Sequence, residues 1–458
     1  MNLSIVTAMT VFTQLAFATL TPTLERGEKN IYFDSPNGVK EVCVLPKHYP
    51  DVKYNKKDLN KEIELCSYSF YDSISAEEVA AGKSTVAMCA KENSTNPAIN
   101  IYGLAKDLTK ESLELADCKS DDAVKIGKYK NSTSCSYTPS ILGYYHVSRI
   151  LGGIGRVPPS VLRTMDIQTH VRLAEIGVNK TRSEALIHTT WNSLLFSLKA
   201  GLSSSKKDLL MTDDGRQSYG VFIVNPKKEM FYKELFSAGE DRAEAFELKN
   251  IAFGMLKNQS PISSIVKNQW TAENIQKLLI MRDTSEFILL DHLLDQQDRF
   301  GNIAYQDRFV YRKKNSDTEM AELEFANDIS DFTQDKSSGN TADLAPLKIK
   351  SMILKDNDCG VSKVNLIKNA GLLKLVAHMN PKTYKRVMQF QRSIADNKTF
   401  FTSNLLFTQA DYEGLVDNLN DAASILTSNC KSGLLKLDLD IETYLTSGSV
   451  TAASCEID

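Results

Sequence analysis

Residues 287–302, FILLDHLLDQQDRFGN, form the stretch from which we interpret the whole chain. Phe287, Leu290 and Leu294 recur at helical spacing, so the first half is predicted to be a buried helix. The helix is predicted to end at residues 296–297 and to present Asp298 and Asn302 on the following loop. An aspartate there could orient a hydroxyl and accept its proton, and an amide could hold a metal ion on nucleotide phosphates. The same residue types also suit helix ends and turns, which leaves a structural role open.

The composition limits the partners. A chain of 458 residues is long enough for a large core and for two lobes or domains. Its 54 Lys and Arg residues face 57 Asp and Glu residues, giving a formal net charge of -3. Such a balance does not produce the basic field of a protein that binds nucleic acid or an anionic membrane. We therefore expect no nucleic-acid partner, and any phosphate site must be a local cluster.

The N-terminus indicates the compartment. Residues 1–18, MNLSIVTAMTVFTQLAFA, are predicted to be a signal peptide, because an apolar run closes on the small-residue pattern Ala16-Phe17-Ala18. The run lacks a preceding Lys or Arg, so a buried N-terminal helix is the alternative. No later run reaches the 18 or so apolar residues of a membrane span. We expect a secreted or secretory-lumen protein, or a periplasmic or extracellular one in a bacterium.

The cysteines fit an oxidising compartment. Five precede residue 140 and three follow residue 350, so full pairing requires at least one bridge between the two halves; the eight are Cys43, Cys66, Cys89, Cys118, Cys135, Cys359, Cys430 and Cys455. The pairing itself stays open, and the absence of a CxxC pair argues against zinc. Five sequons would carry glycans in a eukaryotic source. They begin at Asn93, Asn131, Asn179, Asn258 and Asn397.

Turn signals and apolar runs divide the rest of the chain. We predict an N-terminal extension, stapled over the main fold, at 19–80; a small lobe at 81–226 with an insertion at 166–216; and a helical lobe at 227–458. Within these, strands are predicted at 84–91, 219–224 and 347–354, a loop-rich stretch at 92–137, a helix from Thr138 onward, and a polar loop at 315–339.

Five residues supply, in order, the parts that phosphoryl transfer needs. Lys91 ends a predicted strand and could reach nucleotide phosphates. Asp298 and Asn302 follow as acid/base and metal-side amide. Asp358, in the Asp-Cys-Gly that follows the strand at 347–354, is the preferred metal ligand, with Asp356 second. An ordinary strand-exit turn is the alternative for the last two.

Three motifs resemble secretory-pathway kinases of the Golgi casein kinase and four-jointed type. They are SILGYYHVSRILGGIGRVPPSVL at 140–162, the stretch at 287–302, and MILKDNDCG at 352–360. The resemblance covers about a tenth of the chain. It implies a bilobal, kinase-like α+β fold with a small sheet-containing N-lobe and a mostly helical C-lobe. It also implies that Lys91 binds nucleotide phosphate, Asp298 is the catalytic acid/base and Asp358 binds metal.

The chain also departs from that family. In that family a helix glutamate holds the nucleotide lysine, and this chain has Ser140 or Ile141 at the corresponding position. Glu92 or an acid at 111–122 would have to take over the role of that glutamate. Phe300 stands where the family has histidine, and Asn302 lies one position early.

Three functions therefore remain. The first is a kinase that uses ATP and Mg²⁺ or Mn²⁺ to phosphorylate hydroxyls of secreted proteins or glycans. The second is a pseudokinase that binds nucleotide or a kinase-like partner, and the third is a cysteine-stapled interaction protein. His146 and His292 lie among apolar neighbours and are predicted to be packed core histidines.

Overall fold

A computed structural model describes residues 27–456, except 73, 106, 202–209, 239–240, 315–320, 340, 342–343, 362–363 and 448–453. The predicted signal peptide therefore lies outside the described residues. Two lobes are present, and both contain sheet and helix.

The small lobe is built on an eight-stranded sheet with the order β1-β2-β7-β8-β6-β5-β4-β3. Its strands are β1 Lys29–Asp34, β2 Lys40–Leu45, β3 Tyr68–Ser69, β4 Ser84–Ala90, β5 Ile99–Gly103, β6 Val124–Lys130, β7 Ser160–Asp166 and β8 Gln217–Val224. Only β3 and β4 pair in parallel. The predicted apolar run at 219–224 lies centrally, in β8, between β6 and β7.

The small lobe has six helices among the described residues, and two of them lie within residues 166–216. They are α1 Lys56–Leu65, α2 Ala76–Ala80, α3 Lys110–Leu115, α4 Thr138–Ile150, α5 Ile167–Lys180 and α6 Ala185–Ala200. Asp166 caps α5 by accepting hydrogen bonds from Gln168 and Thr169. Trp191 of α6 is fully buried and lies against Gly177 of α5, where an added Cβ would clash. The helices at 166–216 are thus a tightly packed pair.

Two segments differ from the expectation. The stretch at 92–137 is not loop-rich, because it contains β5, α3 and β6. The segment at 19–80 is not laid over the fold, since β2 pairs with β7 inside the sheet. Its Cys43–Cys66 bridge joins β2 to the end of α1 and so lies within the segment.

The large lobe is arranged around one long central helix. Its helices are α7 Arg242–Lys249, α8 Ile251–Leu256, α9 Ile262–Ile265, α10 Ala272–Leu293, α11 Ile329–Ser337, α12 Leu366–Asn369, α13 Pro381–Ser393, α14 Gln409–Lys431 and α15 Ile441–Ser447. Fifteen residues of α10 are buried, including Phe287, Leu289 and Leu290, because apolar residues occur on nearly all of its faces.

The large lobe also contains a sheet that the helical prediction lacked. Its order is β11-β10-β12, with β9 pairing to β10; the strands are β9 Met230–Phe231, β10 Ile303–Lys314, β11 Ala321–Ala326 and β12 Leu347–Leu354. The predicted polar loop at 315–339 is wrong, since it contains β11 and α11. Charged residues of β10 and β11, most of them partly exposed, interrupt the apolar pattern of these strands in the sequence.

One apolar core connects the lobes, and it includes Ile141 and Tyr144 of α4 as well as Leu290 and Leu294 of the large lobe. His146 and His292 are buried, as predicted. Burial lowers the pKa of His146 well below its usual value, so that ring stays neutral.

All eight cysteines are paired, as Cys43–Cys66, Cys89–Cys118, Cys135–Cys359 and Cys430–Cys455. Cys135–Cys359 joins the two halves of the chain, which confirms the prediction from the odd count. Among the described helices none is long and apolar enough to cross a membrane.

Candidate active site

Lysines of β6 line the cleft between the lobes. Alternation along the strand puts Lys128 and Lys130 on one face. A β-bulge, seen as a register shift between Ile101 and Tyr102 of β5, brings Lys125 to the same side. Gly127 lies between these lysines because any side chain there would clash with the Phe222 ring. The strand therefore delivers three cations to one place.

Two acids from the segment after β12 meet these lysines. The Lys130 ammonium lies 2.7 Å from Asp358 Oδ2, and the Lys128 ammonium lies 3.0 Å from Asp356 Oδ1. Asn96, in the turn between β4 and β5, donates a further hydrogen bond to Asp358 Oδ2 at 3.2 Å. Each acid is thus held by the small lobe.

Asp356 and Asp358 differ in how open they are. The Asp356 side chain is 26% exposed, whereas that of Asp358 is 4% exposed. Asp356 also has a positive φ of 53°, a left-handed conformation that is sparsely populated and often found at functional sites. Burial opposes its ionisation, but Lys128 and Lys130 hold its pKa well below the usual range. Asp356 is therefore an ionised carboxylate that a ligand could reach.

Lys91 points into the same cluster. Burial, together with the neighbouring Lys128, lowers the pKa of Lys91 to about 7, while Asp356 acts in the opposite direction. Burial and Lys128 likewise lower the pKa of Lys125 to about 8. Among the described residues no carboxylate lies within 4 Å of the Lys91 ammonium, and Glu92 pairs with Lys180 instead. The cluster holds more cationic than acidic groups and suits a polyanion.

Ser140, one of the two residues at which the helix glutamate is expected, lies on α4. Its hydroxyl donates to the Asn357 carbonyl at 2.6 Å and accepts from the Gly360 amide at 3.1 Å. A Cβ on Gly360 would lie 2.7 Å from the Ser140 hydroxyl and 2.6 Å from the Leu294 carbonyl. Helix α4 is therefore joined to the acidic segment by hydrogen bonds, where a kinase would use an ion pair with the strand lysine.

Arg299 ties the predicted catalytic loop to the acidic segment. Its guanidinium forms a bidentate pair with Asp291 of α10 at 2.7 and 2.9 Å. It also donates to the Lys355 carbonyl at 2.9 Å and to Asn357 Oδ1 at 2.7 Å. Tyr144 of α4 donates to the same Asp291 at 2.7 Å. This buried network fixes the loop, the segment and α4 relative to one another.

Asp298 lies at the open end of that loop. Its carboxylate is 47% exposed and accepts from Arg242 at 3.1 Å and from Asn302 at 3.0 Å. Asn302 also donates to the Asp298 carbonyl at 2.8 Å, so its amide group is turned toward Asp298. The structure thus brings Asp298 and Asn302 together, and separately brings Lys91, Asp356 and Asp358 together. Among the described residues no cluster of three or more metal-binding side chains is preformed.

The hollow beside the lysine and aspartate cluster is nearly closed. It is bounded by Lys128, Lys130, Ile223, Lys355 and Asp356 among others, and its volume is about 20 Å³. That is room for about one water molecule. A nucleotide base could enter this hollow if the lobes separated, as hinge movements allow.

Four residues of this site were missed at the level of sequence: Lys125, Lys128, Lys130 and Asn96. The signal for the lysines was present, because VKIGKYK places cations at alternate positions just before the α4 start at Thr138. Asn96 has no comparable signal, since it lies in a turn that only tertiary structure brings to Asp358.

No family model and no curated protein matches the sequence. Solved structures do match. A Golgi casein kinase structure aligns with 83% of this chain and 78% of its own, at 11% identity and a TM-score of 0.42. A second Golgi casein kinase structure, with Mn and ADP bound, aligns with 77% of this chain and 76% of its own, at 12% identity and a TM-score of 0.38.

The order of elements along this chain defines the class of fold. The elements follow one another as they do in kinases: a lysine strand, helix α4, two further strands, helix α10, the Asp-Arg loop, and an acidic segment after a strand. The fold is a bilobal, kinase-like α+β fold, as predicted, with the sheet of the large lobe as an addition.

Proposed function

We propose that this protein is a phosphotransferase that takes a phosphoryl group from ATP and passes it to a hydroxyl of a secreted protein or glycan. The observation that carries the proposal is the cluster of Lys91, Lys128 and Lys130 around Asp356, tied through Arg299 to the loop that presents Asp298. Phosphoryl transfer depends mainly on positioning and on charge stabilisation, and this arrangement offers both.

Each residue has a role in this proposal. The lysines would bind the phosphates. Asp356 is proposed as the main ligand of Mg²⁺ or Mn²⁺, because one or two carboxylates plus phosphate oxygens suffice for such an ion. Asp358, already occupied by Lys130 and Asn96, would position Lys130. Asp298 would orient the acceptor hydroxyl and take its proton, with Arg242 and Asn302 holding its carboxylate. Bound ATP would supply the phosphoryl group, and the metal ion would offset its charge.

A pseudokinase is the second candidate. Ser140 or Ile141 in place of a glutamate favours it, because among the described residues Lys91, the lysine that this glutamate would hold, has no carboxylate within 4 Å, and Glu92 pairs with Lys180 instead. The same cluster would bind nucleotide, or stabilise an active kinase-like partner, without turnover.

Thermal melting with ATP tests both candidates against a protein without a nucleotide site. A ligand present at 100 times its dissociation constant adds about 2.7 kcal/mol to the free energy of unfolding. We expect such stabilisation with ATP and Mn²⁺, and a smaller effect with ATP and EDTA. The Lys128→Met/Lys130→Met variant should lose it. No stabilisation under any condition would contradict both nucleotide candidates. Radiolabel transfer from ATP to casein or proteoglycan acceptors then separates the kinase from the pseudokinase.

A further inference from the structure

An open groove in the large lobe ends beside the predicted catalytic loop. Its volume is about 630 Å³, and it is bounded by residues 233–238, α7, α8 and α10. A smaller hollow of about 390 Å³ contains Asp298, Gly301 and Asn302. Phe236 and Ala238 line both spaces. The groove and the Asp298 hollow therefore adjoin and share part of one wall.

The groove presents large apolar side chains to solvent. Ile251 at the start of α8 is 81% exposed and Phe236 is 43% exposed. Phe231 of β9 packs edge-on against Phe236 with ring centroids 5.2 Å apart, and it too is exposed. Clustered exposed apolar side chains of this kind mark binding surfaces in soluble proteins. The groove has the size of a site for a few side chains.

The groove wall is fixed to the catalytic loop. The Ser237 amide donates to the Phe300 carbonyl at 3.1 Å, directly between Arg299 and Gly301. Arg242 at the start of α7 donates to Asp298 at 3.1 Å. A side chain seated in the groove would therefore lie at a defined distance from the Asp298 carboxylate.

We propose that this groove docks a polypeptide acceptor. A bulky apolar side chain of the acceptor would lie beside Ile251 and Phe236, and the hydroxyl to be phosphorylated would lie at Asp298. This inference rests on the proposed function and narrows its substrate class. A glycan would require polar partners along its length, whereas the groove walls are mainly apolar. Lys277 of the groove wall is paired with Glu273, and Glu234 with Lys350. Lys233 and Lys249 also line the groove, and they favour acidic residues next to the apolar anchor.

A randomised peptide library tests the docking independently of turnover. Each peptide of the library has a fixed central serine. The library is passed over the immobilised full-length protein, and the retained peptides are sequenced. We expect Leu, Ile, Phe or Met to be enriched at least about threefold at one or two fixed positions relative to the serine. Random retention, or enrichment of polar residues alone, would overturn the proposal.

Variants show whether the enrichment arises in this groove. Ile251→Gln should weaken binding of the selected peptide by about tenfold, equivalent to about 1.4 kcal/mol. Ile63→Gln is the matched control, because Ile63 on α1 is 57% exposed and lies outside the groove. Equal binding by Ile251→Gln and the control would refute the site. ATP-induced stabilisation is measured on the same samples. Peptide enrichment without ATP-induced stabilisation would contradict the proposed nucleotide chemistry but not the docking. ATP-induced stabilisation without peptide enrichment would contradict the docking but not the nucleotide chemistry.

Discussion

The ammonium of Lys130 lies 2.7 Å from the carboxylate of Asp358, and each side chain is only 4% exposed. The pair joins β6 of the small lobe to the segment after β12. A buried ion that loses its partner costs about 3–5 kcal/mol of stability. This ion pair therefore stabilises the contact between the lobes. The neighbouring Lys128 and Asp356 pair is more open and therefore better able to exchange its partner for a ligand.

Asparagine variants of the two acids should separate these roles. Asp358→Asn leaves Lys130 buried with a weaker partner, so we expect unfolding to become easier by about 3 kcal/mol. Asp356→Asn should change stability less, yet lower ATP affinity with Mn²⁺ at least about tenfold. In EDTA the same variant should bind ATP as well as the wild type or better, since a negative charge is gone. Chemical denaturation measures the free energy of unfolding, and calorimetric titration measures the ATP affinity. A larger loss of Mn²⁺-dependent ATP affinity in Asp358→Asn than in Asp356→Asn would assign the metal to Asp358.

Nucleotide affinity should depend on pH through Lys91 and Lys125. Their pKa values of about 7 and about 8 lie below the ordinary 10.5, so both side chains are cationic at pH 6 and largely neutral at pH 9. Phosphates favour the cationic forms, and ATP affinity should fall at least about tenfold between pH 6 and pH 9. Titration in buffers of different ionisation enthalpy should reveal proton uptake near pH 8. Affinity that does not change with pH would rule these lysines out as phosphate ligands.

The stability of the unliganded protein should change with pH in the opposite direction to ATP affinity. Between pH 7 and pH 10.5 the unfolded chain keeps a proton on Lys91 that the folded chain releases. The free energy of unfolding contributed by this lysine therefore rises with pH through that window. A Lys91→Met variant should lose this contribution, and comparing the two proteins by chemical denaturation at pH 7 and pH 9 measures it.

The Cys135–Cys359 bridge should support the site as well as the fold. It links the start of α4 to the residue that follows Asp358 and closes a sequence separation of 224 residues. Removing a disulfide of this kind costs about 2–5 kcal/mol. We expect Cys135→Ser/Cys359→Ser to melt at a lower temperature and to bind ATP more weakly. The Cys430→Ser/Cys455→Ser variant, which removes a bridge in the large lobe far from these residues in sequence, is the control and should bind ATP normally.

Local patterns predicted the buried elements well, because period and turn chemistry act over short distances. The Phe287 helix, the strand at 219–224 and the α4 start at Thr138 follow from such patterns. Strand β6 was missed because its lysines, which serve the cleft, break the apolar alternation that marks a strand. The site was therefore incomplete: Lys91 lies in the cluster, but the ion pairs to Asp356 and Asp358 come from Lys128 and Lys130.

The position of Asn302 also required tertiary structure. The sequence places it on the loop after α10, as predicted, but its amide bonds Asp298 and not the acidic segment. Direction of a loop side chain depends on the hydrogen bonds available around it, and these are set by Arg242 and by the 233–238 segment. We therefore expect Asn302→Ala to loosen Asp298 without changing metal-dependent nucleotide affinity, which titration of the variant would measure.

Asp298 itself should be needed for turnover and not for binding. Its side chain is 47% exposed, so Asp298→Asn should leave the melting temperature nearly unchanged. ATP affinity should also hold, because the lysines and Asp356 contact the phosphates in the proposed function. Transfer to an acceptor hydroxyl should fall by about two to four orders of magnitude, the usual range for loss of a general acid/base. Asp307→Asn is the matched control, since Asp307 on β10 is 36% exposed and pairs with Lys348. Equal radiolabel transfer by the wild type and Asp298→Asn would exclude Asp298 as the base, and no transfer by any of the three with ATP binding intact would favour the pseudokinase.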